Sequence, residues 1–323
     1  MTNRANTICL LEILKEYSDA DHIMQMQEII AKMKAVYSLE VDRRTVYSSV
    51  DLLKELGYDI SDYNDNGVGY YLRERDFETS EIRLLMDAVY SYQAIPTTQT
   101  EKLIAKLQKL LNSHERKKYR SLKIVKTDKK TRNAEVFLNI EILDEAIQRK
   151  NKVKFTYLEY GLDKNLKPRR EKKYTVNPYQ LICMNEHYYL LCKMAYRTKI
   201  SLYRIDLMQD VEITGYLLDD TLTEKELLAA ENKTVYAWYG DVETVELRCR
   251  NFCIGDVIDK FGTGVTIQPD GKENFIVTLR VAPWGVKYWA LQYLSFVEVL
   301  SPAWLREEVI ESVQNNPYTE VRK

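Results

Sequence analysis

Apolar side chains recur three and four residues apart through the first 57 residues, then switch to alternate positions from Lys152 onward. Between Thr7 and Tyr17, Ile8, Leu11 and Leu14 share one side of a helix. Ser18-Asp19-Ala20-Asp21-His22 ends that helix with residues that favour caps and turns. A second helix is predicted from Met24 to Val36, burying Ile29, Ile30 and Met33. A third runs from Asp42, its N-cap, to Gly57, its C′ residue. At about 100° per residue, Val46, Ser49, Val50, Leu53 and Leu56 of this helix fall on one arc. Arg43, Arg44, Tyr47, Ser48 and Asp51 fall on the opposite one.

Two short strands follow, Tyr58–Ser61 and Gly69–Leu72, around Asn64-Asp65-Asn66-Gly67, which signals a hairpin with a type I′ turn. Three helices and a hairpin make a winged helix-turn-helix over residues 1–77. In such a domain the N-terminal part of the third helix meets the major groove. Arg43, Arg44, Thr45, Tyr47 and Ser48 are then the candidates for base and phosphate contacts, with Lys54 beside them. Asn64 and Asn66 reach a neighbouring phosphate from the wing. The alternative is a small structural α+β domain whose arginines are simply solvated.

Residues 78–150 read as a helical connector. Ile82, Leu85, Met86 and Val89 form one stripe. Leu103, Ile104, Leu107, Leu110 and Leu111 form a second, and Ile140, Leu143 and Ile147 a third. Arg116-Lys117-Lys118-Tyr119-Arg120 and Lys126-Thr127-Asp128-Lys129-Lys130 are the most basic stretch, read as a solvated linker with a phosphate-contacting segment as the alternative. Over 151–218 short strands at close spacing suggest a small β-barrel. They are Val153–Tyr157, Tyr174–Ile182, His187–Cys192, Ser201–Asp206 and Val211–Ile213.

The order Phe155-Thr156-Tyr157, Pro178-Tyr179-Gln180-Leu181, Tyr188-Tyr189-Leu190 and Tyr203-Arg204-Ile205-Asp206-Leu207-Met208 resembles the WYL-domain family of bacterial transcription regulators. Tyr188 stands where that family has Trp, and Leu207 where it has a second Arg. The resemblance implies a multidomain α+β chain. Its parts would be an N-terminal winged helix-turn-helix, a helical connector, an Sm- or SH3-like WYL barrel, a linker over 219–240 and a ferredoxin-like WCX-type extension over 241–323. Val242–Arg250, Cys253–Ile258, Phe275–Val281, Trp284–Leu294 and Phe296–Leu300 supply the extension's strand and helix patterns. The resemblance also implies a sensor whose ligand is a nucleotide or single-stranded nucleic acid. Tyr157, Tyr188 and Tyr189 could stack on bases or fill the barrel core. Arg170, Lys193, Arg197 and Arg204 could hold phosphate, with His187 alongside. Arg204, in a strand between Tyr203 and Ile205, needs a partner if buried. Its replacement by Ala is expected to remove the ligand response and leave apo folding intact.

Net charge is −1, which gives no global attraction to nucleic acid. Residues 1–77 carry 9 basic against 14 acidic side chains, 78–175 carry 23 against 13, and 176–323 carry 15 against 21. DNA contact by the first domain must therefore come from locally placed arginines, helped by a homodimer or by the basic middle. The five cysteines read as buried free thiols. Three scattered histidines, and a Phe261-Gly262-Thr263-Gly264 turn without a phosphate-loop lysine, point away from catalysis, metal and cofactor. No apolar run approaches a membrane span and no signal peptide opens the chain, so a cytoplasmic regulator binding a double-stranded operator is expected. The alternative is a nucleic-acid-responsive accessory protein of a defence or repair system, acting through a protein partner.

Overall fold

A computed structural model describes residues 3–119, 130–184, 186–197, 199–223, 226–227, 234–235, 238–239 and 241–318. Arg120, the basic residues Lys126 and Lys129, the turn residue Asn185 and much of the expected 219–240 linker lie outside the described residues. The chain is a mixed α+β protein of two compact units, Met1–Arg132 and Asn133–Lys323.

In the first unit, α1 (Asn3–Tyr17), α2 (Met26–Tyr37) and α3 (Arg43–Glu55) close around Leu10, Leu14, Ile29, Met33, Val46, Val50 and Leu53. Two apolar residues expected inside stand in solvent: Ile8 is 64% exposed and Leu56 66%. Leu56 caps α3, and Gly57 at φ 94° turns the chain away before that side chain can reach the core. β1 (Ile60–Ser61) and β2 (Tyr71–Leu72) form an antiparallel pair. The expected tight turn between them is instead a short helix, α4 (Tyr63–Asn66). Asp62 and Asp65 form a reciprocal capping box there, which stabilises a helical turn over a type I′ loop. Gly67, at φ 69°, ends it. The β2 end is sewn to the start of α2 by two backbone bonds, Met24 N–H to Tyr70 O (2.9 Å) and Tyr70 N–H to Met24 O (2.8 Å). Gly69 sits so close there that a Cβ would lie 2.2 Å from Met24 O. Buried Ser18 joins α1 to β2 by donating to Leu14 O and accepting from Leu72 N–H. α5 (Thr79–Ser91), α6 (Thr97–Gln108) and α7 (Ser113–Lys118) pack around Ile82, Met86 and Leu111.

In the second unit, α8 (Val136–Gln148) covers one face of a curled antiparallel sheet. The strands are β3 (Asn151–Tyr160), β4 (Leu166–Pro168), β5 (Tyr174–Met184), β6 (His187–Met194), β7 (Ile200–Arg204) and β8 (Met208–Leu217). The ladder runs β8–β3–β5–β6–β7, with β4 on the far end of β3, and a 3₁₀ turn at Ile205–Leu207 leads from β7 to β8. Among the described residues β7 and β8 do not pair, so the expected barrel is a half-barrel. A bulge between Pro178 and Gln180 bends β5. Leu143 and Ala146 of α8 pack on Val153, Phe155, Val176, Leu190 and Cys192.

After a two-stranded pair, β9 (Thr234–Val235) with β10 (Trp238–Tyr239), a second sheet begins. It holds β11 (Glu243–Arg250), β12 (Thr266–Asp270), β13 (Asn274–Val281) and β14 (Val297–Ser301) in the order β12–β13–β11–β14. The helices α9 (Ile254–Phe261), α10 (Pro283–Gln292) and α11 (Ala303–Gln314) complete it. The strand that follows the Phe261-Gly262-Thr263-Gly264 turn is β12, whose side chains are nearly all exposed. All five cysteines are free; Cys192, Cys249 and Cys253 are buried, whereas Cys9 is half-buried and Cys183 exposed.

Candidate nucleic-acid and ligand surfaces

Asp42 opens α3 as expected, its carboxylate accepting from the Thr45 amide (2.8 Å) and hydroxyl (2.7 Å). Those bonds, helped by the nearby Arg44 charge, hold the carboxyl below its ordinary range. The cap fixes which residues begin the helix, and so which way its first turn faces. Val46, Ser49, Val50 and Leu53 are buried, while Arg43, Arg44, Tyr47 and Ser48 are exposed. Neither guanidinium has a hydrogen-bond or ion-pair partner among the described residues.

The other predicted contacts on this surface are less free. Thr45 spends its hydroxyl on the cap, and Ser48 donates to Thr45 O. Tyr47 is half-exposed and bonds the buried Tyr70 phenol, whose pKa is pushed up to about 12 by burial first and Tyr47 next. Lys54 sits a helix length from Arg43 and pairs with Asp62 at 2.6 Å. Asn64 is exposed on α4. Asn66 turns inward, donating to Ser61 Oγ and Gly69 O and accepting from the Val68 and Gly69 amides. The structure thus groups Arg43, Arg44, Tyr47 and Ser48 on one exposed surface and leaves Asn66 locked in its loop.

On the curled sheet, alternation splits the predicted ligand residues between two faces. Tyr157 and Tyr188 lie on the helix-covered face, partly buried against the core. There Phe155, Tyr157, Tyr174 and Tyr203 form a ring cluster with centroids 4.9–6.3 Å apart. Arg170 lies 3.5 Å over the Tyr174 ring, its guanidinium also donating to Lys172 O and Lys173 O. The opposite face carries His187, Tyr189, Lys193 and Arg204. Arg197 is exposed in the turn after β6.

Arg204 has the partner its burial demands. Its Nε and Nη2 donate to Asp206 at 3.1 and 2.7 Å, and its backbone amide donates to the Tyr157 phenol. Burial opposes the guanidinium's charge, but Asp206 raises its pKa above the ordinary value. The Asp206 side chain is only 1% exposed, so removing Arg204 would strand a buried carboxylate. This argues against the expectation that Arg204→Ala leaves folding untouched. His187 stands with Nδ1 buried and 3.8 Å from Asp206, its pKa lowered by burial and then by the Arg204 charge. Asn133 fastens this corner by donating to Asp206 O and Met208 O.

Sequence reasoning missed Asp206 as a functional group, although it stands two residues from Arg204 in the segment that carried the resemblance. It also missed Lys152, Asn177, Asp219 and Asp220. Among the described residues no group of three or more His, Cys, Asp and Glu side chains could hold a metal ion. No described helix is long and apolar enough to cross a membrane.

The second unit thus holds a helix-backed curled sheet followed by a second α/β module. The WYL-domain family model matches residues 139–213 and the WCX-domain model residues 241–315, so the chain carries a WYL domain followed by a WCX domain. Among solved structures, the chain is similar to Proteasome accessory factor B/C of Arthrobacter aurescens. The identity is 14% over 97% of this chain and 48% of that one, with a TM-score of 0.27. This chain therefore spans about half the length of that relative. A CRISPR Cas-related protein is similar at 13% identity over 97% of this chain and 90% of that one, with a TM-score of 0.41. No curated protein matches the chain.

Proposed function

We propose that this chain is a DNA-binding transcription regulator whose WYL domain senses a ligand and alters operator binding. The observation that carries the reading is the exposed start of α3. It holds two unpaired arginines, a half-exposed tyrosine and a serine on a helix whose other face anchors the domain. The order helix, helix, capped helix and strand pair supports a winged helix-turn-helix, with α4 as an irregular wing. The strand order β12–β13–β11–β14, interleaved with α9 and α10, supports a ferredoxin-like extension. The 3₁₀ turn before β8 supports an Sm- or SH3-like reading of the curled sheet. A homodimer reading paired half-sites suits a two-fold operator. No catalytic role is assigned to any side chain. Coupling requires that the ligand favour one of two states with different DNA affinity.

The test is binding to a genomic fragment library at fixed salt, followed by mobility shift of the selected fragment. Arg43→Ala with Arg44→Ala is expected to abolish the specific shift while leaving the melting temperature within the error of wild type. A retained specific shift refutes the assignment of α3.

A further inference from the structure

Two lysines are sunk into the face of the curled sheet opposite α8, and both are neutralised by carboxylates that do not belong to the sheet. Lys152, Asn177 and Lys193 stand in one row across β3, β5 and β6, since Val153 pairs with Val176 and Asn177 with Lys193. Strands lie about 4.8 Å apart, so the two lysines leave the sheet roughly 10 Å apart with an amide between them. Their side chains are 9% and 12% exposed. An ammonium this buried needs a counter-charge.

That counter-charge comes from the segment just past β8. Asp219 lies 2.5 Å from Lys152 Nζ, and Asp220 lies 2.5 Å from Lys193 Nζ. Asn177 grips Asp219 twice, donating to its Oδ2 and accepting from its backbone N–H. The Tyr179 phenol donates to Asp220, and the Tyr196 amide donates to Asp219. Leu218, Leu222 and Leu227 hold the segment against Tyr179 and Leu191. The cations are thus fixed in a hydrogen-bonded ladder, while the anions ride on a strap. The carboxylates are also the more exposed partners, at 33% and 45%.

The strap offers two consecutive anionic groups to a Lys–Asn–Lys row, beside the exposed ring of Tyr196 over Lys152. The oxygens of two successive phosphoryl groups would make the same contacts to the ammonium and amide groups, and an attached base would gain a further contact with the ring. We propose that Asp219 and Asp220 stand in for a ligand bearing two adjacent phosphoryl groups, which binds the Lys152–Asn177–Lys193 row by displacing the strap. This rests on the reading of the WYL sheet as a sensor and assigns it a site and a built-in competitor. A nucleoside diphosphate carries the two groups joined by an anhydride, and a single nucleic-acid strand carries them one nucleotide apart.

The experiment uses the full chain with inorganic pyrophosphate, ADP and a short fluorescein-labelled oligo(dT) as separate probes. Asp219→Asn with Asp220→Asn keeps most hydrogen bonds and removes the competing charge. It is expected to tighten binding of at least one probe by about tenfold, a gain that Lys193→Gln erases. ADP and oligo(dT) tell the two sources apart, and pyrophosphate alone reports the phosphoryl row. Equal affinity in wild type and the double variant, no binding of any probe to the double variant, or a gain that survives Lys193→Gln overturns the proposal. Should the double variant lose its cooperative melt, amide exchange over residues 217–223 of the wild type decides. Saturating probe is expected to speed it, and unchanged or slowed exchange overturns the proposal. If another effector still shifts operator binding, only the strap has failed. If nothing bound to the sheet alters operator binding, the sensor reading itself has failed.

Discussion

Arg204 and Asp206 form one pair, yet removing either member should not cost the same. The Asp206 side chain is 1% exposed and that of Arg204 31%. Arg204→Met leaves a carboxylate with almost no access to water and His187 Nδ1 as a neighbour 3.8 Å away. Stranding a buried charge costs 3–5 kcal/mol, and the partial exposure of this pair places the loss near the lower end, about 3 kcal/mol. Asp206→Asn leaves a guanidinium with nearly a third of its surface in water, plus an amide oxygen to donate to, for a loss of about 1 kcal/mol. For a unit of this size those losses correspond to melting shifts of about 6–12 °C and 2–4 °C. Calorimetry at pH 8, where His187 is neutral, follows the transition of the second unit in each variant. Arg204→Met with Asp206→Leu is expected to recover most of the larger loss, because no buried charge remains. A larger penalty for Asp206→Asn than for Arg204→Met, or no penalty for either, would refute the assignment of Asp206 as the buried member.

Three further outcomes follow from the packing. Ser18→Ala leaves the Leu72 amide without its acceptor and should cost about 1–3 kcal/mol in the first unit, read by urea unfolding. Gly69→Ala drives a methyl group to 2.2 Å from Met24 O, so the first unit should lose its cooperative transition or melt well below wild type, as circular dichroism would show. His187 has a folded pKa below its ordinary 6.5, so the unfolded chain takes up its proton first. Its contribution to stability is present above pH 6.5 and fades as pH falls through the folded value, giving a slope that His187→Gln should flatten in pH-dependent melts.

Local chemistry made the caps of α3 readable, since Asp42 and Gly57 act on their immediate neighbours. The α4 turn defeated the same reasoning, because Asn-Gly chemistry competes there with the Asp62–Asp65 capping box and the box prevails. A single binding surface cannot hold both Tyr188 and Tyr189, because adjacent residues of a strand point to opposite faces. The structure packs a partly buried Tyr188 against the α8-covered core and sends Tyr189, itself buried, to the other side. Asp219 and Asp220 read in sequence as the start of a linker, since nothing nearby marks Lys152 and Lys193 as their partners. That pairing is visible only when β3, β5 and β6 are laid side by side.

The reciprocal backbone bridge of Met24 and Tyr70 sets an order on synthesis. A nascent chain emerging from the ribosome can form its first three helices early. It cannot lock them together until the stretch around residue 70 has cleared the exit tunnel and closed a long loop. Truncation just before that point should therefore leave the surface bearing Arg43 and Arg44 on a loosened support, although no residue of that surface has been removed.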